Sequence, residues 1–256
     1  MKPRLRFARL FACGVLLAVT LAAEEVFTLR TGFDFSTGDY GQPVSTQITT
    51  FPVSVSYTDN QTTWDLGLSY LRVNGPGDVI PGIGRFRQRL LASKHVSKGC
   101  GDFTVGVTHD FTPPEGRPWS WSAGAEVKFG TASAAKSLGT GKDDFMVHVD
   151  LFRPAGAFAP FATLGYRWLG NPDGSDLRNY VFGTVGVNWA CTDTMTAAAL
   201  VDWAQRNSAS GRASSNFTLS VTRAVGDRCE IQVYGVLGHS DSTADHGYGL
   251  GIGRRF

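Results

Sequence analysis

The chain has 256 residues, 42% hydrophobic and only 18% charged, with 31 glycines, 11 prolines and a formal charge of +2. Soluble domains carry about 25% charged residues, and the apolar fraction here is not raised to compensate, so a larger core does not explain the deficit. The near-neutral balance excludes a nucleic-acid-binding protein, which needs a basic face, and points to apolar surface turned toward something other than water.

The N-terminus reads as a signal peptide over residues 1–23. Lys2, Arg4, Arg6 and Arg9 precede an apolar run from Leu10 to Leu21, with small residues at Ala22 and Ala23. The run is shorter than the roughly 20 residues of a spanning helix. A lipoprotein reading through Cys13 is weaker, because only Leu10, Phe11 and Ala12 of the apolar run precede it. Removing the four cations takes the formal charge from +2 to −2. Residues 24–256 are then one exported domain.

Beyond the leader no segment approaches the ~18 consecutive apolar residues of a membrane helix. Alternation recurs instead, first at 27–35 and 47–57. In WDLGLSY, Trp64, Leu66, Leu68 and Tyr70 oppose Asp65, Gly67 and Ser69. A strand follows at 102–111, then WSWSAGAEVKF, with Trp119, Trp121, Ala123, Ala125, Val127 and Phe129 on one face and Glu126 and Lys128 on the other. FMVHVDL puts Phe145, Val147, Val149 and Leu151 opposite Met146, His148 and Asp150. Further runs at 158–169, 179–190, 194–205, 214–224, 229–238 and 246–256 bring the total to about twelve strands.

A soluble sandwich also alternates, but three features favour an all-β, transmembrane up-and-down antiparallel barrel. The strands are long enough to cross hydrocarbon, which takes about 9–11 tilted residues against the usual 5–6. The polar face carries Gly, Ser and Thr with mixed charges: Arg30, Asp34, Asp65, Glu126, Lys128, His148, Asp150, Arg167 and Asp202. A watery lumen tolerates such a face. Connections also alternate: tight turns near 59–61, 153–156, 191–193 and 226–228 and a moderate one near 112–118 separate six longer loops, as in outer-membrane barrels. The same register puts Trp64, Trp119, Trp121 and Trp189 at one end and Trp168 and Trp203 at the other, two aromatic girdles.

The last strand, HGYGLGIGRRF, must pair with the first, because lipid allows no open edge. Tyr248, Leu250, Ile252 and Phe256 would face out and the glycines in. A terminal aromatic resembles the sorting signal read by the barrel-assembly machinery, although Arg254 stands where an apolar residue is usual.

Four stretches, TGFDFSTGDYGQ (31–42), FPVSVSYTDNQTTWDLGLSYLRVNGPGDVIPG (51–82), GCGDFTVGVTHDF (99–111) and SLGTGKDDFMVHVDL (137–151), resemble a family of proteobacterial outer-membrane transporter-like proteins named for the MetA pathway of phenol degradation. The resemblance implies a barrel that passes small molecules.

The loop at 74–100 opens with GPGDVIPGIG, whose glycines and prolines signal turns. It either folds into the lumen or caps the barrel from outside. Arg85, Arg87, Arg89, Lys94 and Lys98 follow, a basic cluster suited to anionic solutes or lipid phosphates at the mouth. GTGK at 139–142 is not a phosphate loop, since Lys136 and Asp143 stand where that pattern needs Gly and Ser or Thr. Cys191 and Cys229 fall at neighbouring turns, leaving Cys100 over; no Cys/His metal spacing occurs and no cofactor is implied.

The expectation is a bacterial outer-membrane channel for passive passage of small solutes, not an enzyme, with membrane lipid and the solute as partners. Two alternatives stay open. His239, Asp241, Asp245 and His246 would serve a rim hydrolase, given groups within about 3 Å of each other. A non-conducting structural or adhesion barrel would bind partners without passing solute.

Overall fold

A computed structural model describes residues 26–77, 79–85, 95–113, 118–208 and 211–256, with Arg85 described through its backbone alone. The proposed signal peptide lies outside the described residues, as do Arg87, Arg89 and Lys94.

The strands are β1 (Val26–Gly38), β2 (Thr46–Asp59), β3 (Thr62–Gly75), β4 (Val79–Ile80), β5 (Gly84–Arg85), β6 (His95–Cys100), β7 (Phe103–Phe111), β8 (Ser120–Phe129), β9 (Asp144–Phe152), β10 (Phe158–Trp168), β11 (Tyr180–Thr192), β12 (Met195–Ala204), β13 (Ser214–Val225), β14 (Cys229–Gly238) and β15 (His246–Arg255). The wall strands pair antiparallel in chain order, β3 with both β6 and β7, while β4 pairs with β5 apart from the wall. The ring closes where β1 meets β15, from Thr28 opposite Arg255 to Thr37 opposite His246. Counting β6 and β7 as one interrupted wall strand, the barrel has twelve strands. Closure leaves no edge in hydrocarbon, which is what lipid demands of a sheet.

Faces sort by period two. Along β15, Tyr248, Leu250 and Ile252 are exposed while Gly249, Gly251 and Gly253 are buried. All six tryptophans project outward, between 39% and 51% exposed. Trp64, Trp119, Trp121 and Trp189 ring the end that carries both termini, with Trp121 stacked on Phe111 at 3.7 Å and Trp189 on Phe158 at 6.2 Å. Trp168 and Trp203 mark the long-loop end, where Phe145 lies 5.3 Å from Trp168. Aliphatic residues such as Val53, Leu66, Val149, Leu164, Val185, Leu219 and Val233 fill the exposed band between these levels. Exposed apolar surface on this scale is stable only against lipid.

Two features depart from the sequence reading. The fourth wall strand begins at His95, well before the expected 102, because β3 continues to Gly75 and β6 pairs with its extension, Tyr70 opposite Cys100 and Gly75 opposite His95. Lower down, Gly67 opposes Thr104, so an extra residue sits at Gly101–Asp102. This bulge flips the alternation, which puts Cys100 and Lys98 on the outward face while Asp102 turns in. The second departure is β4–β5, a small hairpin within the 74–100 loop.

Candidate functional site

The inward face of the barrel and its outer mouth form the site. Arg30, Asp34, Asp65, Glu126, Lys128, His148, Asp150, Arg167 and Asp202 all occupy inward positions of their strands, and cross-strand register assembles them into separate groups. Near the termini, the Arg30 guanidinium reaches Glu230 at 3.3 Å and donates to the Ser56 hydroxyl at 3.4 Å; Ser56 donates to Asp65 at 2.5 Å. Higher on the same wall the Tyr234 hydroxyl donates to Asp34.

The β8–β10 wall carries a second column. Asp150 accepts from the Ser122 hydroxyl at 2.9 Å and from Thr163 at 2.8 Å, with His148 Nε2 3.5 Å away. Above it Arg167 lies 3.5 Å from Glu126. At the top Lys128 bridges Asp102 at 2.8 Å and Asp144 at 3.2 Å. The two acids also hold loops: Asp102 accepts from the Ala132 amide at 2.8 Å, and Asp144 from the Gly170 amide at 3.0 Å. Arg30, Arg167 and Lys128 each meet a carboxylate, whereas Asp34, Asp65, Asp150 and Asp202 are held by hydroxyl donors.

A third face is less charged. Phe161 and Leu200 cluster with Phe152 and Ala159 on the inner side of β9, β10 and β12, and Asp202 accepts from Thr184 at 2.6 Å nearer the outer end. Bulky inward groups sit over inward glycines: Phe161 over Gly186, Phe182 over Gly165, His148 over Gly124 and Tyr234 over Gly249, each where an added Cβ would collide. Of these, Phe161, Phe182 and Tyr234 escaped the sequence reading. The signal was present as Gly opposite Phe or Tyr in adjacent strands, but it needs the register to be seen.

At the outer mouth the described residues of the loop after β3, 76–77 and 79–84, pack against inward strand residues and the other loops. Val79 and Ile80 are 1% and 3% exposed. Val79 joins a cluster with Ile48, Leu71 and Val73, all inward residues of β2 and β3, together with Tyr40, Ala132 and Leu138 from loops. Ile80 packs with Ile83, Leu169 and Leu177 on the far side. The Ser137 hydroxyl donates to the Gly77 carbonyl at 2.5 Å, and Asn207 Nδ2 donates to the Ile83 carbonyl at 2.7 Å. Gly84, at φ 83°, lies against the Ser242 carbonyl, where a Cβ would come within 2.8 Å. One segment thus meets each of the other five outer loops, and a segment that does so lies across the centre of the ring. Its contact with inward strand residues seats it within the mouth. Of the two readings of this loop, the described residues show the inserted one.

Burial raises the Tyr40 phenol to about 12, with Asp245 adding to the shift and a hydrogen bond from Ser36 opposing it. Of the basic cluster, Lys98 alone has a described side chain, and it stands on the outward face opposite Arg72. His239 and His246 are exposed, Asp241 pairs with Arg212 at 3.1 Å, and among the described residues no group of His, Cys, Asp and Glu is placed to hold a metal ion. Cys100, Cys191 and Cys229 are free thiols. At the terminus the Phe256 amide donates to the Phe27 carbonyl at 2.9 Å, and the Arg254 guanidinium lies 5.0 Å above the Phe256 ring.

No family model matches the chain, and no curated protein matches it in sequence. Solved structures do match in shape. An outer membrane channel from Pseudomonas putida F1 aligns with a TM-score of 0.69 at 11% identity, over 93% of this chain and 97% of that one. NanC porin aligns at 0.58 and 10% identity, over 89% and 98%. KdgM porin aligns at 0.54 and 9% identity, over 90% and 99%. The chain has the fold of bacterial outer-membrane channels and porins. Its girdled apolar belt places it in that membrane.

Proposed function

We propose that this barrel is an outer-membrane channel for passive diffusion of small solutes. The observation that carries the reading is the combination of an inward polar wall with an inserted loop. A twelve-strand ring lies between the eight-strand barrels filled by side chains and the sixteen-strand barrels with open channels. A narrow path is therefore expected, shaped by the β4–β5 hairpin and lined by the Arg30–Glu230, Arg167–Glu126 and Lys128–Asp102–Asp144 groups. Selectivity follows from those charges. The resemblance to the phenol-degradation family supports small organic solutes without favouring phenolics. The C-terminal strand ending at Phe256 is the segment for the assembly machinery to read.

Single-channel conductance of the refolded barrel in a planar bilayer tests the proposal, with and without residues 76–97. Ion-selective conductance in the full chain, larger after the deletion, is the expected outcome. Silence from both would overturn the channel reading.

A further inference from the structure

At the long-loop end, on the outside of the barrel, a groove of about 430 Å³ is lined by Arg178, Asn179, Trp203, Gln205, Arg206 and Ala213. It forms because the segments flanking β11 and β12 stay joined above the membrane strands: Leu177 bridges to Ser208, and the Arg178 amide donates to the Asn207 carbonyl at 2.8 Å.

Beside Trp203 and Ala213, the polar side chains of the lining present donors. Arg178 and Arg206 are exposed and have no carboxylate partner among the described residues, whereas neighbouring Arg212 is paired with Asp241. Asn179 Oδ1 accepts from the Leu169 amide at 3.0 Å, and Gln205 Oε1 accepts from the Val181 amide at 3.2 Å. With both carbonyl oxygens so used, the two carboxamide NH₂ groups remain to donate. Two guanidinium forks and two NH₂ groups with no lining acid are complementary to a phosphate. The floor is Trp203, an outward indole of the upper girdle, at the level where hydrocarbon gives way to headgroups.

We infer that this groove binds a phosphorylated lipid headgroup of the outer leaflet, with Arg178 and Arg206 gripping the phosphate and Trp203 lying against the lipid beneath it. The inference rests on the barrel standing in the membrane with its long loops outward, and not on its conducting solute.

The test is retention of a phosphorylated lipid A-type glycolipid by the detergent-purified, folded barrel, measured by native mass spectrometry. The dephosphorylated glycolipid and inorganic phosphate serve as comparison ligands. Wild type should retain the phosphorylated lipid. R178A/R206A should bind it about thirtyfold more weakly, the loss expected for two cations at a lipid surface. R178K/R206K should recover part of that binding, which shows that charge rather than misfolding is responsible. Equal retention by wild type and R178A/R206A, or equal retention of the dephosphorylated lipid, overturns the inference. Millimolar phosphate displacing the lipid completely would make the groove a free-anion site and overturn the lipid assignment. Labelling of Arg178→Cys on intact cells checks the orientation separately; protection there would refute the outward placement, while silent bilayers would bear only on the channel.

Discussion

The outer mouth and the wall beneath it solve the problem of filling a barrel in opposite ways. At the mouth, Val79, Ile80, Leu71, Val73, Leu138 and Leu177 make small apolar cores between loops and strand ends, so the hairpin is held by burial. Along the wall, charges meet in cross-strand pairs held by register, with Lys128 and its two carboxylates as the collar between the regions. A plug held by non-directional burial can be loosened without disturbing the ring. A charged collar cannot lose its shared cation without leaving two carboxylates unpaired.

That contrast can be broken at several points. The largest effect is expected from Val79→Asp with Ile80→Asp, which places two carboxylates in dry apolar clusters and should expel the hairpin. Conductance should rise toward that of the 76–97 deletion while the folded barrel keeps its heat-modifiable migration on a gel. Unchanged conductance would show that the hairpin does not limit passage. Next comes Lys128→Met, which strands Asp102 and Asp144, 12% and 3% exposed, without their cation. Loss of a partner from a buried pair costs about 3–5 kcal/mol, to be read as a lower denaturant midpoint. A change within 0.5 kcal/mol, the range of ordinary surface substitutions, would show that lumen water solvates the collar.

A smaller effect should follow Glu126→Gln. The polar shape stays, Arg167 loses its counter-charge, and the reversal potential in a salt gradient should move toward anion preference with little change in stability. The smallest concerns pH. The Tyr40 phenol is raised to about 12, above the ordinary value near 10, so the folded mouth favours its neutral form. Its contribution is present in full below pH 10 and declines as pH rises from about 10 to 12. Conductance should therefore climb over that alkaline window in wild type and not in Tyr40→Phe.

Much of the fold was legible in the chain because lipid makes period-two patterning strict. A residue such as Trp189 or Leu164 has one allowed side, so strand number, the outward girdles and the inward set from Arg30 to Asp202 could be read by counting. Loop parity followed from the same rule, since each crossing reverses direction. The glycine face of the last strand was equally readable, because the same alternation runs through it.

Tertiary structure alone decided the rest. Which charges meet depends on register between strands far apart in sequence; Arg30 and Glu230 are joined only because the ring closes. The inserted hairpin was undecidable from Gly and Pro content, since turns are needed both inside and outside a mouth. The bulge at Gly101–Asp102 sent Lys98 outward because one extra residue inverts an alternating pattern, and nothing local to those residues announces it. The groove of Arg178 and Arg206 exists because two loops are laced above neighbouring strands. Patterning is a property of single strands in a given solvent, whereas sites are properties of pairs, and pairing is settled only when the sheet has closed.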